Sequence, residues 1–221
     1  MNKQQKKTWD DCMALLMSEL PKEDASAVYD KAVFRWQDFS AKMDGESESR
    51  KKLAVNSILP RVAIYAALKE GGYPADQIMK KYIEEISGPA MHDKYARLEK
   101  IPGFFWIFRK AYMLYTDKSD WWNCESEKTP DGFRLDMHTC LWKDCCDIAG
   151  YPEVCSYFCD SDDITYRNLR KIGFRRTQTL VVCKINNYTY ISHYVILNTP
   201  KFTEVFRDGK INTISAFRRR S

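Results

Sequence analysis

The segment Arg134-Leu-Asp-Met-His-Thr-Cys140 carries four reactive or charged side chains on alternate residues. Successive side chains of a β-strand point to opposite faces, so Arg134, Asp136, His138 and Cys140 are predicted to share one face. A thiol becomes a nucleophile when a neighbouring cation or base favours its thiolate. The segment therefore predicts either a catalytic site with Cys140 as nucleophile beside His138, or a polar sheet face that is simply exposed to solvent.

A second group, Cys155, Cys159 and Asp162, has spacings of four and three residues. On a helix these spacings bring the three side chains onto one face. Two thiols and a carboxylate can ligate a metal ion, but the spacing matches no strong zinc signature and equally suits small buried thiols. We predict no cofactor and leave a metal ion as the alternative.

Three further residues have two interpretations each. Arg176, at the start of a predicted strand, can hold a carboxylate by two parallel hydrogen bonds, or it is a surface cation. His193 is predicted to share a strand face with Ile191 and Val195, where a histidine is more often a core residue than a catalyst. Trp122 belongs to an aromatic pair that could wall a pocket or fill a core.

The first half of the chain reads as helices. Apolar residues recur at helical spacing over residues 9–20 and 22–43, and a third helix contains Pro60, where it either kinks or starts anew. A fourth helix is predicted to end at Gly88-Pro89. Two more helical stretches cover about residues 91–100 and 104–115.

The second half mixes strands with helices. Glu125 to Gly132 reads as a polar loop, followed by the strand that ends near Cys140 and by a helix over about residues 150–159. Residues 176–185 and 188–197 predict a hairpin that turns at Asn186-Asn187.

Helices followed by antiparallel strands predict an α+β fold, with an N-terminal helical half packed on a C-terminal antiparallel sheet that has one or two helices. The predicted division is a helical portion over residues 1–118 and an α+β portion over residues 119–221 that carries the site, the two forming one compact unit.

Composition narrows the classes of function. Of the 221 residues 44% are hydrophobic and 29% charged, which predicts a globular protein. The net charge of +5 comes largely from the two ends, so we expect solvated termini rather than a nucleic-acid partner. No apolar run approaches the roughly 18 residues of a membrane span. The start lacks a secretory signal and the eight cysteines suit a reducing compartment, which predicts a cytoplasmic location.

Several motifs, in order, resemble those of the L-2-amino-thiazoline-4-carboxylic acid hydrolase family. The stretch Ile58-Leu-Pro-Arg-Val-Ala-Ile-Tyr-Ala-Ala-Leu-Lys-Glu-Gly-Gly72 resembles its N-terminal helical signature, and Ile101-Pro-Gly103 precedes an aromatic helix as in the family. Cys140 falls where the family has a cysteine ending a strand. Gly150-Tyr-Pro-Glu falls at its Gly-x-Pro-Glu helix start.

The resemblance covers about residues 50 to 197. Cys159 and Asp162 fit the family's Cys-x-x-Asp, and Arg176-Thr177 with Thr179-Leu180 fit its Arg-Thr-x-Thr-Leu strand. The family's final Cys-Asp-Phe, however, is replaced by Ser192-His193-Tyr194. Loss of this thiol and carboxylate implies a changed substrate or a lost activity.

The resemblance implies hydrolysis of a non-peptide carbon–nitrogen bond in a small amidine-like or cyclic thio-compound. In a 2-aminothiazoline, attack at C2 opens the ring to an N-carbamoyl thiol. The reaction needs a nucleophile, a proton carrier and a cation for the substrate carboxylate. The residues able to fill these roles are Cys140 as nucleophile, His138 or His193 as proton carrier, Asp162 for the amidine nitrogens, Arg176 for the carboxylate, and Arg134 and Cys159 as further substrate contacts.

The divergent motif keeps a second interpretation open. The family's pattern is also similar to that of a small-ligand-binding α+β fold whose C-terminal hairpin carries paired cysteines. The alternative is thus a non-catalytic sensor of a small ligand or metal on the same fold. In both cases the expected partner is a small molecule, with neither nucleic acid nor membrane; the oligomeric state is open, a homodimer included.

Overall fold

The computed structural model describes residues 2–176 and 192–198. Over these residues, seven helices precede a region that alternates two strands, two helices and two strands. The helices are α1 (Lys3–Glu19), α2 (Lys22–Ala41), α3 (Glu48–Leu53), α4 (Leu59–Glu70), α5 (Ala75–Lys81), α6 (Gly88–Leu98), α7 (Phe104–Lys118), α8 (Leu141–Ala149) and α9 (Val154–Tyr166). The strands are β1 (Trp122–Thr129), β2 (Gly132–Cys140), β3 (Ile172–Arg176) and β4 (Ser192–Asn198). The predicted α+β class is confirmed.

Two π-helical turns each precede a proline that would otherwise interrupt a helix. The turn Ala54–Ile58 joins α3 to α4, and Pro60 lies in the first turn of α4, where a missing N–H costs little. The turn Tyr82–Ser87 joins α5 to α6 in the same way. The predicted helix end at Gly88-Pro89 is therefore wrong, because the wider turn absorbs the lost hydrogen bond.

The four strands form one antiparallel sheet in the order β1-β2-β4-β3. The predicted polar loop from Glu125 to Gly132 is mostly β1, which pairs with β2 along its whole length. Its run of charged residues is typical of an edge strand, where charge discourages pairing with other chains. β3 pairs antiparallel with β4, with Arg176 opposite Tyr194. Residues 177–191 of the predicted hairpin lie outside the described part, so its turn at Asn186-Asn187 stays a prediction.

The ladder between β1 and β2 contains a bulge at His138. Cys124 pairs with Met137 and Asn123 pairs with Thr139, so His138 is an extra residue on β2. A bulge shifts the alternation of side chains by one residue. Consequently Cys140 lines the same inner region as Met137, and the predicted face shared by His138 and Cys140 is wrong.

Buried side chains form two clusters. The larger one joins α1, α2 and α4 to residues of α8 and α9, among them Leu141, Cys146 and Cys155. The smaller one packs α7 against the sheet through Phe108, Phe133 and their neighbours. The larger cluster thus extends across the predicted boundary at residue 118; the division into two portions itself stays a prediction.

None of the described helices is long and apolar enough to cross a membrane. The cytoplasmic location stays a prediction.

Gly88 sets the distance between α6 and α9. A Cβ atom at this position would lie 2.6 Å from Ile164 Cγ2 and 2.7 Å from the carbonyl oxygen of Ile83. Because one of these atoms belongs to the backbone, Gly88→Ala is expected to destabilise the fold by about 1–3 kcal/mol. Chemical denaturation would measure this loss. Asp93→Ala, on the exposed surface of the same helix, is the control and should change stability by less than about 0.5 kcal/mol. An unchanged Gly88→Ala midpoint would contradict the close packing.

Candidate active site

A cavity of about 160 Å³ lies where the sheet meets α7, α8 and α9. It occupies the junction of the two buried clusters, since Cys155 belongs to one and Tyr166 to the other. Its volume resembles that of a cavity of about 150 Å³ that accommodates benzene. The lining residues are Tyr112, Trp122, Met137, Cys140, Trp142, Cys155, Phe158, Cys159, Ser161, Asp162, Tyr166 and Phe174.

Cys140 stands at the point where β2 ends and α8 begins. It pairs with Trp122 across the ladder and is the N-cap residue of α8. Burial raises the pKa of the Cys140 thiol to about 11, although the backbone N–H groups of Lys143 and Trp142 and the Trp122 indole act to lower it. The Cys140 thiol is therefore protonated at pH 7, while the N-terminus of α8 can stabilise negative charge on the sulfur.

Helix α9 presents Cys155, Cys159 and Asp162 to the cavity, as their spacing indicates. Interaction with Cys146 and burial raise the pKa of the Cys155 thiol. Interaction with Cys155, followed by burial, raises that of Cys159. These thiols are neutral at pH 7, and all seven cysteines in the described part of the chain are free.

Asp162 is the carboxylate of the cavity wall. Burial raises the pKa of Asp162 to about 7, with Arg176 acting in the opposite direction and Asp163 in the same one. The side chain keeps some accessible surface because it faces the cavity. Within the described residues its carboxyl group accepts no hydrogen bond. A bound ligand can therefore supply the partner that this carboxyl group lacks.

Arg176 binds α9 rather than lining the cavity. Its Nη1 donates to the carbonyl oxygen of Cys159 at 2.6 Å, and its Nη2 donates to Asp163 Oδ2 at 2.6 Å. The side chain is only 9% exposed. The guanidinium predicted to anchor a substrate carboxylate thus holds the segment of α9 that carries Cys159 and Asp162.

Arg134 and His138 lie on the outer surface of the sheet. Arg134 is exposed and pairs with Glu127 at 3.1 Å and Asp136 at 3.3 Å. His138 Nε2 is 3.4 Å from Oε1 of Glu125. Neither residue lines the cavity, so the structure does not bring them together with Cys140.

His193 lies in β4, where its backbone pairs with that of Asp136. Its neighbour Ser192 pairs with Met137 of the cavity wall. The role of His193 stays a prediction.

Aromatic rings make up much of the wall, and sequence reasoning found only Trp122 among them. Trp122 and Trp142 are stacked, with ring centroids 5.5 Å apart and planes 6° apart. Tyr166 and Phe174 stack at 5.0 Å and 29°. Trp142 and Tyr166 were missed because α8 and the second half of α9 were not predicted as helix. The helical spacing of Phe158, Asp162 and Tyr166 was the available signal.

Within residues 2–176 and 192–198, no group of three or more histidine, cysteine or acidic side chains is arranged to hold a metal ion.

Comparison with known families gives one match. The sequence model described as L-2-amino-thiazoline-4-carboxylic acid hydrolase matches residues 54–182, more than half of the chain. The match includes Cys140, Cys155, Cys159, Asp162 and Arg176, and confirms the resemblance inferred from motifs. No curated protein and no solved structure is significantly similar to the chain.

Proposed function

We propose that this chain, which belongs to the L-2-amino-thiazoline-4-carboxylic acid hydrolase family, hydrolyses a small amidine-like or cyclic thio-compound at a bond other than a peptide bond. The observation that carries the proposal is the cavity whose wall includes both Cys140 and Asp162. A nucleophile and a titrating carboxyl group beside one small chamber are the minimum for this chemistry.

Cys140 is the proposed nucleophile. Its sulfur adds to the amidine carbon, and the thiol proton passes to Asp162 or to an amidine nitrogen. The N–H groups at the start of α8 stabilise the charge that develops on sulfur during this step. A resting thiol with a pKa of about 11 reacts only when this proton has a destination, so a substrate-free enzyme would be protected from unwanted alkylation.

Asp162 is the proposed proton carrier and the group that holds the amidine nitrogens. A carboxyl group with a pKa of about 7 can both accept and return a proton near neutral pH. The tetrahedral adduct collapses when one heteroatom leaves with a proton. An acyclic amidine loses ammonia by carbon–nitrogen cleavage, whereas a 2-aminothiazoline opens by loss of its ring sulfur. Water then releases the product from Cys140.

The experiment is a substrate panel that reports both kinds of cleavage. Purified protein would be incubated with L-2-amino-thiazoline-4-carboxylate, 2-amino-2-thiazoline and acetamidine, and the release of ammonia and of free thiol would be followed separately. We expect turnover of at least one cyclic substrate with release of thiol. Heat-denatured protein is the control. Saturable binding without either product would reject the hydrolase.

A non-catalytic binding module is the second candidate. It is favoured by the protonated state of every cavity thiol whose pKa is shifted, because neutral thiols are poor nucleophiles. Alkylation rates of Cys140 with and without ligand separate the two. The hydrolase predicts faster modification of Cys140 when a ligand accepts its proton, and the module predicts uniform protection.

A further inference from the structure

The cavity has walls suited to a flat molecule. Both rings of the stacked pair Trp122 and Trp142 line it, as do both rings of the pair formed by Tyr166 and Phe174. Aromatic faces carry partial negative charge and attract cations, most strongly where water is excluded. A planar, positively charged ligand matches these walls in shape and charge.

Charge in the cavity points to the same ligand. Asp162 is the acidic side chain of the wall, and none of the other described lining residues is an arginine, lysine or histidine. Arg176, whose positive charge acts on Asp162, donates hydrogen bonds to Asp163 and to the Cys159 carbonyl oxygen. A buried carboxylate without a hydrogen-bond partner is costly, and a bound cation that donates two N–H groups offsets that cost.

A ligand carboxylate would meet the opposite environment. It would share a small chamber with Asp162, and like charges at close range disfavour each other strongly when burial reduces screening. The geometry points to a cavity that selects small flat amidinium cations lacking a carboxylate, such as protonated 2-amino-2-thiazoline, over L-2-amino-thiazoline-4-carboxylate. This inference rests on the proposed function of the same cavity and narrows its substrate class.

The protonation of Asp162 gives the selection a pH dependence. The groups that act on or face it are Arg176 of β3, Asp163, Cys159 and Tyr166 of α9, Tyr112 of α7 and Tyr95 of α6. The pKa values of the three tyrosines and of Cys159 are raised, so these groups stay neutral near pH 7. Affinity for the cation should therefore follow the ionisation of Asp162 and fall up to about tenfold per pH unit below pH 7.

Calorimetric titration of Cys140→Ser protein with the two thiazolines tests the inference, because loss of the proposed nucleophile is expected to stop turnover during the measurement. We expect 2-amino-2-thiazoline to bind at least about tenfold more tightly than its carboxylated analogue at pH 7.5. Asp162→Asn in the same background should abolish the preference. Asp147→Asn, an exposed carboxylate of α8 paired with Lys143, is the matched control and should preserve it.

Equal or tighter binding of the carboxylated compound would overturn the inference, as would an Asp162→Asn protein with unchanged preference. If Asp162→Asn protein does not fold, the Cys140→Ser protein would be titrated with 2-amino-2-thiazoline at pH 6 and at pH 7.5. An affinity at pH 6 that is not lower than the affinity at pH 7.5 would also overturn the inference. Failure of the proposed function has a different signature. In that case the cation binds through Asp162, but wild-type protein releases neither ammonia nor thiol from it.

Discussion

Cys140→Ala is expected to lower kcat by at least about 1,000-fold while leaving the protein folded. In the proposed mechanism the Cys140 thiol forms the covalent bond to the amidine carbon. Cys140 is the N-cap residue of α8, whereas Cys155, in the first turn of α9, interacts with the thiols of Cys146 and Cys159. Replacing one sulfur by hydrogen adjacent to an existing cavity leaves the surrounding packing largely unchanged. Steady-state assays of product release, combined with circular dichroism, would measure both effects.

Cys124→Ser is the matched control for this experiment. Cys124 lies two residues after Trp122 on β1 and pairs with Met137, yet it does not line the cavity. The control variant should retain activity within about threefold. Full activity in well-folded Cys140→Ala protein would eliminate the covalent mechanism and leave attack by a water molecule as the remaining form of hydrolysis.

Asp162→Asn is expected to reduce kcat/KM at pH 8 by about 100-fold and to remove the acidic limb of the pH–rate profile. Wild-type activity should rise as pH increases through about 7, because the ionised carboxylate holds the amidine and accepts the proton. Asparagine can do neither, so the remaining activity should be flat across this range. A profile measured from pH 5.5 to 8.5 on both proteins makes the comparison; a limb near pH 7 that survives in the variant would assign it to another group.

Stability should change in the opposite direction to activity. The pKa of Asp162 is about 7 in the folded protein and about 3.9 in an unfolded chain. A carboxyl group with a raised folded pKa makes the fold less stable as pH rises between these two values, and the penalty is complete above pH 7. Asp162→Asn is therefore expected to raise Tm at pH 8 and to change it little at pH 4. Thermal unfolding at the two pH values separates this result from simple structural damage, which would lower Tm at both.

The helical first half, the α+β class, the family and the face shared by Cys155, Cys159 and Asp162 could be predicted from sequence. Each depends on local periodicity or on motifs separated by short distances. β1 was not predicted because its solvent-facing carboxylates give it a polar sequence typical of a loop. Only its pairing with β2 identifies it as a strand. The helix end predicted at Gly88-Pro89 was wrong because a π-turn has no distinctive residue pattern.

The composition of the cavity wall was harder to predict from sequence than the single residue Cys140, which does line the cavity. Arg176 donates a hydrogen bond to Asp163 of α9, whose proximity arises when β3 packs beside α9. Its contact with a substrate carboxylate stays a prediction. The aromatic wall joins residues from α7, β1, α8, α9 and β3, so no single stretch of sequence contains it. His138 was placed beside Cys140 by a rule of alternation that holds only for a regular strand.

The extra residue in β2, His138, determines which face of the sheet the Cys140 side chain occupies. If His138 instead took part in regular pairing with β1, with no extra residue on β2, the alternation of side chains would turn Cys140 outward, away from Asp162 and the aromatic rings. The inward position of the Cys140 thiol thus depends on the bulge at His138. A relative without this extra residue needs a one-residue gap at His138 when its sequence is aligned with this chain. If the gap is omitted, the alignment pairs Cys140 with a solvent-facing residue of the relative.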